Sequence, residues 1–303
     1  MCVKSAHMAL LSRYLDPQLV ERLNHLQLSA RRVVEGSTIG QHKSPVKGAS
    51  VEFRQHRFYT LGDETRRLDW RVLGRTDRPY IKEYDEETNL RCVLMIDGSG
   101  SMAYGAQGRG TKYDFAARLV ASLAYLMLGQ TESVGLAVFR SRVDAWLGPS
   151  SGQVQLSRVI DLLERSGPSG KSSLKAAVHE TANRLERRSL VIIVSDLFYP
   201  TTEVRECLAR LRHDRHETIL LRPLDPDEVE FPFRTWSRFR GMEGERATVC
   251  EPALMRQAYL DRFASHRQAL EDSSRTLGAE FHTLTTDKPL IDSLTAFLRR
   301  RQG

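Results

Sequence analysis

The chain has 303 residues, enough for one large domain or two modest ones, and long enough to bury a core without disulfide staples. Hydrophobic residues make up 41% and charged residues 27%, which excludes a chain dominated by disorder. The net charge of +7 suits acidic partners without specifying one.

Four cysteines, Cys2, Cys92, Cys207 and Cys250, lie far apart with no CxxC pair. That excludes a zinc ribbon, speaks against a disulfide framework, and leads us to expect a reducing compartment. No apolar run approaches the roughly 18 residues needed to span a bilayer. The short apolar patch at residues 8–11 is too small for a signal-peptide core. The expectation is a soluble, cytoplasmic protein.

In chain order, Asp16-Pro17 reads as a cap followed by a first-turn proline, opening a helix from 16 to about 34 in which Leu19, Val20, Leu23, Leu26 and Leu28 recur at near-helical spacing. Residues 36–48 turn to Gly, Ser, Lys and Pro and read as a loop. Segments 50–61 and 80–84 carry β-type residues around a basic, turn-rich centre. These elements form an expected N-terminal part, 1–89, of one helix and an irregular basic β segment.

A different rhythm starts at Leu90. Residues 90–97 (LRCVLMID) form a continuously apolar strand of the kind buried on both faces of a parallel sheet. The pattern then predicts a helix over 113–128 and a strand over 134–139, with 142–147 pairing beside it. Helices follow over 154–163 and 174–185, then a β-branched strand over 190–195, a helix over 204–211 and a strand over 218–222. An aromatic-rich segment with Pro232, Phe233 and Trp236 precedes a long helix over 252–277, a strand over 280–284 and a helix over 290–300. Strands alternating with helices imply an α/β fold with a doubly wound, mostly parallel sheet over 90–303.

In such a sheet, ligands bind at the carboxyl ends of the strands, where the winding reverses. Asp97-Gly98-Ser99-Gly100-Ser101 follows the first strand directly, and Asp196 follows the strand 190–195. If the two strands are neighbours at the switch point, Asp97 and Asp196 converge. Gly170-Lys171-Ser172-Ser173 opens a helix and can deliver a hydroxyl to the same crevice. Two carboxylates with several hydroxyls suit a hard divalent cation, Mg²⁺ first and Mn²⁺ or Ca²⁺ as alternatives. Hydroxyl ligands from Ser99 and Ser101 would leave one position open for a carboxylate of another protein. Gly98 and Gly100 are expected to let the loop turn tightly.

Asp-x-Ser-x-Ser after the first strand, a Ser/Thr before a middle helix and Ser195-Asp196 resemble the metal-ion-dependent adhesion site of von Willebrand factor A domains. Upstream, Gly62-Asp63, Arg66, Leu68-Asp69-Trp70, Arg75-Thr76 and Lys82-Glu83-Tyr84 resemble the domain-of-unknown-function-58 family, which sets this basic segment before a von Willebrand A-like domain. The resemblance implies Asp97, Ser99, Ser101, Ser172 and Asp196 as metal ligands, Ser172 standing for the family's Thr with Ser173 as the alternative. It further implies a non-enzymatic interaction protein, an adaptor or co-chaperone whose partner is a MoxR-type AAA+ ATPase. A client protein would offer Asp or Glu to the ion, and movement of the C-terminal helix would report binding.

Other chemistries fit less well. Gly98-x-Gly100-x-x-Ala103 matches a dinucleotide fingerprint, but further glycines delay the helix and the second strand ends on Phe139-Arg140 with no ribose-binding acid, although Arg140 could meet a 2′-phosphate. Gly170-Lys171-Ser172 is no P-loop, because Arg165 stands where the first glycine belongs and a helix precedes it. Neither Ser99 nor Ser101 sits in a G-x-S-x-G elbow, so no catalytic residue is assigned. The nine histidines make no ligand cluster. The segment Arg66, Arg67, Arg71, Arg75 and Arg78, interleaved with Trp70 and Tyr80, has the composition of a nucleic-acid stacking platform and is the alternative functional class. The favoured expectation is intramolecular, with Trp70 buried against the main domain and Arg66, Arg75 or both paired with carboxylates of this chain.

Overall fold

A computed structural model describes residues 12–24, 51–60, 68–86, 90–105, 108, 110–244 and 246–302. The chain divides into two compact units, one of Met1–Arg32 with Leu90–Gly303 and one of Val33–Asn89.

The first helix, α1 (Pro17–Leu23), starts as its sequence predicts: Asp16 accepts from the Leu19 N–H at 2.8 Å, with proline in the first turn. Its expected continuation toward residue 34 lies outside the described residues. Its allegiance differs from the expected 1–89 grouping. Leu19 and Leu23 are buried in the core of the larger unit, and Arg118 donates to Asp16 at 2.8 Å. Too short to be stable alone, a seven-residue helix takes its stability from the apolar face it docks.

In the smaller unit, β1 (Val51–Phe58) pairs antiparallel with β2 (Tyr80–Glu86), and the Phe58 and Tyr80 rings meet at 4.5 Å across the end of the ladder. Between them lies α2 (Trp70–Thr76), capped by Asp69, which accepts from Arg71 N at 3.0 Å and Val72 N at 3.3 Å. Trp70 is 66% exposed, which corrects its expected burial as an anchor. The reason is local: Trp70 is the first residue of a seven-residue helix that buries none of its side chains. Arg71 and Arg75 are exposed, and Arg75 has no ion pair among the described residues. Arg66 and Arg67 lie outside the described residues.

The larger unit carries the sheet. Its strands are β3 (Arg91–Asp97), β4 (Ser133–Phe139), β5 (Val143–Ser150), β6 (Leu190–Val194), β7 (Glu217–Leu224) and, after a separate small hairpin of β8 (Ser237–Phe239) and β9 (Thr248–Cys250), β10 (Glu280–Thr285). Their order is β10-β7-β6-β3-β4-β5, all parallel except the β5 edge, which runs antiparallel to β4. Counted within this sheet, that is the doubly wound order, with β3 and β6 as neighbours at the reversal. The helices are α3 (Lys112–Gly129), α4 (Gln153–Arg165), α5 (Leu174–Arg184), α6 (Thr201–His213), the short α7 (Pro226–Glu230), α8 (Pro252–Leu277) and α9 (Leu290–Gln302).

Strand periodicity divides the core into two layers. Leu94, Ile96, Leu136, Val138, Ile192 and Val194 face α3, α4 and α9. Val93, Met95, Ala137, Phe139, Val191 and Ile193 face α5, α6 and α8. Leu94→Ala in the fully buried central strand should cost about 2–5 kcal/mol. Trp70→Ala should stay within about 0.5 kcal/mol, as for an exposed site. Urea unfolding of the two variants checks both values.

Candidate functional site

β3 and β6 end side by side, and the loops after them meet the loop before α5. Backbone hydrogen bonds stitch this floor together: Gly98 N to Phe139 O, Gly100 N to Gly170 O and Ser169 N to Gly98 O, each at 2.8 Å. Arg140, at the end of β4, donates from Nε to Gly98 O at 2.9 Å and from a terminal nitrogen to Gly167 O at 2.5 Å, and also pairs with Asp144. All three of its nitrogens are thereby engaged within the chain. Gly98 has ordinary space for a Cβ, so the tight turn expected there is not what it supplies. Gly100 is needed for a different reason, close approach: a Cβ there would lie 2.1 Å from the Met242 carbonyl oxygen.

The cleft above this floor measures ≈ 390 Å³ and is lined by Ser101, Ser172, Asp196, Tyr199, Arg240 and Met242 among others. Asp97 is fully buried beneath it. One carboxylate oxygen accepts from Ser99 N at 2.9 Å, and the other from Ser195 Oγ at 2.7 Å and the Tyr199 hydroxyl at 2.8 Å. Burial first and the negative charge of Asp196 second push its pKa up to about 6, against the pull of those hydrogen bonds. The Ser99 and Ser101 hydroxyls stand 3.1 Å apart. Ser172 pairs with the Tyr199 hydroxyl and lines the cleft, whereas Ser173 caps α5, accepting from Ala176 N at 3.3 Å.

Asp196 is 2% exposed and accepts from the Lys112 ammonium at 2.7 Å. Its backbone oxygen accepts from Arg222 Nε at 2.8 Å. The next residue, Leu197, holds a left-handed backbone (φ 54°) with its side chain fully buried, a conformation costly for leucine. Lys112 also donates to Glu228 at 2.6 Å and lies 5.3 Å from the centre of the Phe198 ring. Burial alone would lower the Lys112 pKa, but Asp196 and Glu228 outweigh it and raise it. Arg222 is fully buried between the Phe198 and Phe263 rings, at 5.0 and 5.1 Å.

The five residues singled out from sequence, Asp97, Ser99, Ser101, Ser172 and Asp196, therefore gather around one cleft. Lys112, Tyr199, Glu228 and Arg222 escaped the sequence reading. One signal could have exposed Lys112: a lysine at the first position of an apolar helix opposes the helix dipole and needs a compensating carboxylate.

Among the described residues no three His, Cys, Asp or Glu side chains gather as a metal cage; the donors here are chiefly hydroxyls. They nonetheless fit a small hard cation. The 3.1 Å between Ser99 Oγ and Ser101 Oγ is near the roughly 2.9 Å edge of a magnesium octahedron with about 2.05 Å bonds. The negative charges of Asp97 and Asp196, near enough to act on one another, also favour a positive charge nearby.

Residues 55–269 match the family model described as "Protein of unknown function DUF58". The chain belongs to that family. An uncharacterized protein of Mycobacterium tuberculosis is 28% identical over 295 residues, covering 95% of this chain and 92% of the relative. An aerotolerance-related membrane protein from Bacteroides fragilis aligns with a TM-score of 0.50 at 14% identity, over 70% of this chain and 98% of that structure. The SpRpn10 VWA domain aligns at 0.41 and 11% identity, over 69% and 95%. The strand order makes this a doubly wound, mostly parallel α/β protein. Among the described residues no helix is long and apolar enough to cross a membrane.

Because the Asp97 pKa is raised above its unfolded value, the buried carboxyl destabilises the fold at neutral pH. That cost is absent below about pH 4 and fully present above about pH 6. In EDTA, Asp97→Asn should melt a few degrees above wild type at pH 7.5, and the gap should close toward pH 5. Thermal melts across that range check the sign.

Proposed function

We propose that this chain is a non-enzymatic protein-interaction module that receives a partner's Asp or Glu through a divalent ion, Mg²⁺ or alternatively Mn²⁺ or Ca²⁺. The observation that carries this reading is the convergence of Asp97, Ser99 and Ser101 with Ser172 and Asp196, from three distant parts of the chain, around one open cleft. Asp97, Ser99, Ser101, Ser172 and Asp196 would hold the ion, which supplies a positive centre for an incoming carboxylate. The partner implied by the family resemblance is a MoxR-type AAA+ ATPase, with this chain as adaptor or co-chaperone. A reducing, cytoplasmic setting accords with Cys207, a buried free thiol.

Isothermal titration with MgCl₂ or MnCl₂ should give weak, saturable binding that Asp97→Ala abolishes while the fold remains. Unchanged affinity in that variant would sink the site. Binding to a purified MoxR-type ATPase should collapse in EDTA.

A second reading has its own observation. Trp70 is exposed beside exposed Arg71 and Arg75, which is the layout of a base-stacking platform. Single-stranded nucleic acid bound there would be released by salt, unaffected by EDTA, and weakened by Trp70→Ala.

A further inference from the structure

Lys112 is the most anomalous group in the cleft. It opens α3, where the helix dipole repels a cation, and its side chain is fully buried. Burying an ammonium is costly unless carboxylates face it, and here two do, Asp196 at 2.7 Å and Glu228 at 2.6 Å. The Glu228 side chain is itself mostly buried and is held by a second bond, its other oxygen accepting from Asp225 N at 2.9 Å. Nothing in the metal-dependent reading requires this bridge, since a divalent ion alone would neutralise Asp97 and Asp196.

The charge count gives the bridge a purpose. The cleft floor gathers the carboxylates Asp97, Asp196 and Glu228, with Asp225 and Asp227 on the same short helix segment as Glu228, against the cations Lys112 and Arg222. The rim adds Arg240 and Glu243, of opposite sign. Lys112 removes one unit of the negative charge that a divalent ion bound there would meet. Without Lys112 the same carboxylates would neutralise the ion more completely.

We propose that Lys112 is a positioning charge that keeps a bound divalent ion under-neutralised, trading ion affinity for affinity toward a partner's carboxylate. The inference rests on the metal-dependent reading above and deepens it. Lys112 holds one oxygen of Asp196, repels the ion at short range, and leaves the loaded site attractive to an anion.

The test uses the full chain at pH 7.5, with Mn²⁺ titrated by electron paramagnetic resonance and acetate then titrated into the Mn²⁺-loaded protein by water-proton relaxation. Lys112→Met should tighten the Mn²⁺ Kd by about tenfold or more and weaken acetate binding, because the mutual repulsion is lost. Glu228→Gln should do the reverse, loosening Mn²⁺ and strengthening acetate. The double variant restores the net charge and should return both affinities toward wild type, an outcome that a merely structural role of Lys112 does not produce. If wild type binds Mn²⁺ and the two single variants shift its Kd in the same direction, or not at all, the inference is overturned. Should Lys112→Met fail to fold, Glu228→Gln decides by itself: looser Mn²⁺ with tighter acetate supports the proposal, and unchanged values refute it. A wild-type chain that takes up no Mn²⁺ overturns the metal-dependent reading as well, and the wild-type titration alone separates that failure from the other.

Discussion

Parallel pairing of β3 with β6, in register from Cys92↔Leu190 to Ile96↔Val194, sets Asp97 and Asp196 next to each other at the end of a dry sheet. Two buried like charges raise each other's energy, and the surrounding groups answer that repulsion. Ser195, Tyr199 and the Ser99 amide donate to Asp97, while Lys112 and Arg222 lie against Asp196. The hydroxyl chemistry, the buried ammonium and the open cleft all follow from this one adjacency.

The segment after β7 completes the site from above. α7 is capped by Asp225 and Glu228 in a reciprocal box, and Glu228 uses its other oxygen to reach Lys112. The chain then runs through packed rings, Phe231 with Tyr259 at 4.6 Å and with Phe233 at 5.2 Å, into the β8–β9 hairpin. Aromatic packing of this kind holds a short hairpin that could not persist by its own ladder. Its loop sets the Met242 backbone on Gly100 and brings Arg240 and Glu243 to the rim. Any side chain at position 100 would push the loop off the cleft.

The smaller unit follows a different logic. Its capped helix α2 buries none of its side chains, so the exposed Trp70, Arg71 and Arg75 are surface features of that helix.

Much of the architecture was legible in the residues. Strands buried on both faces read as unbroken apolar runs, so β3, β4, β6 and β7 declare themselves, and the doubly wound order follows from alternation with helices. Asp97, Ser99, Ser101 and Asp196 were readable because a polar cluster directly after such a run must sit at a strand's carboxyl end. The Asp16-Pro17 cap was readable because its hydrogen bond spans three residues. What escaped was non-local. Lys112 meets Asp196 across 84 positions and Glu228 across 116, and no periodicity encodes a pairing at such separations. The docking of α1 into the larger core and the seat of the 242 backbone on Gly100 were likewise decided by which surfaces tertiary packing covers. Local sequence sets the conformations a segment can adopt and the chemistry it carries, whereas burial of charge and the partners that offset it depend on elements distant in the chain, and these come together only when the sheet closes its neighbours around the switch point.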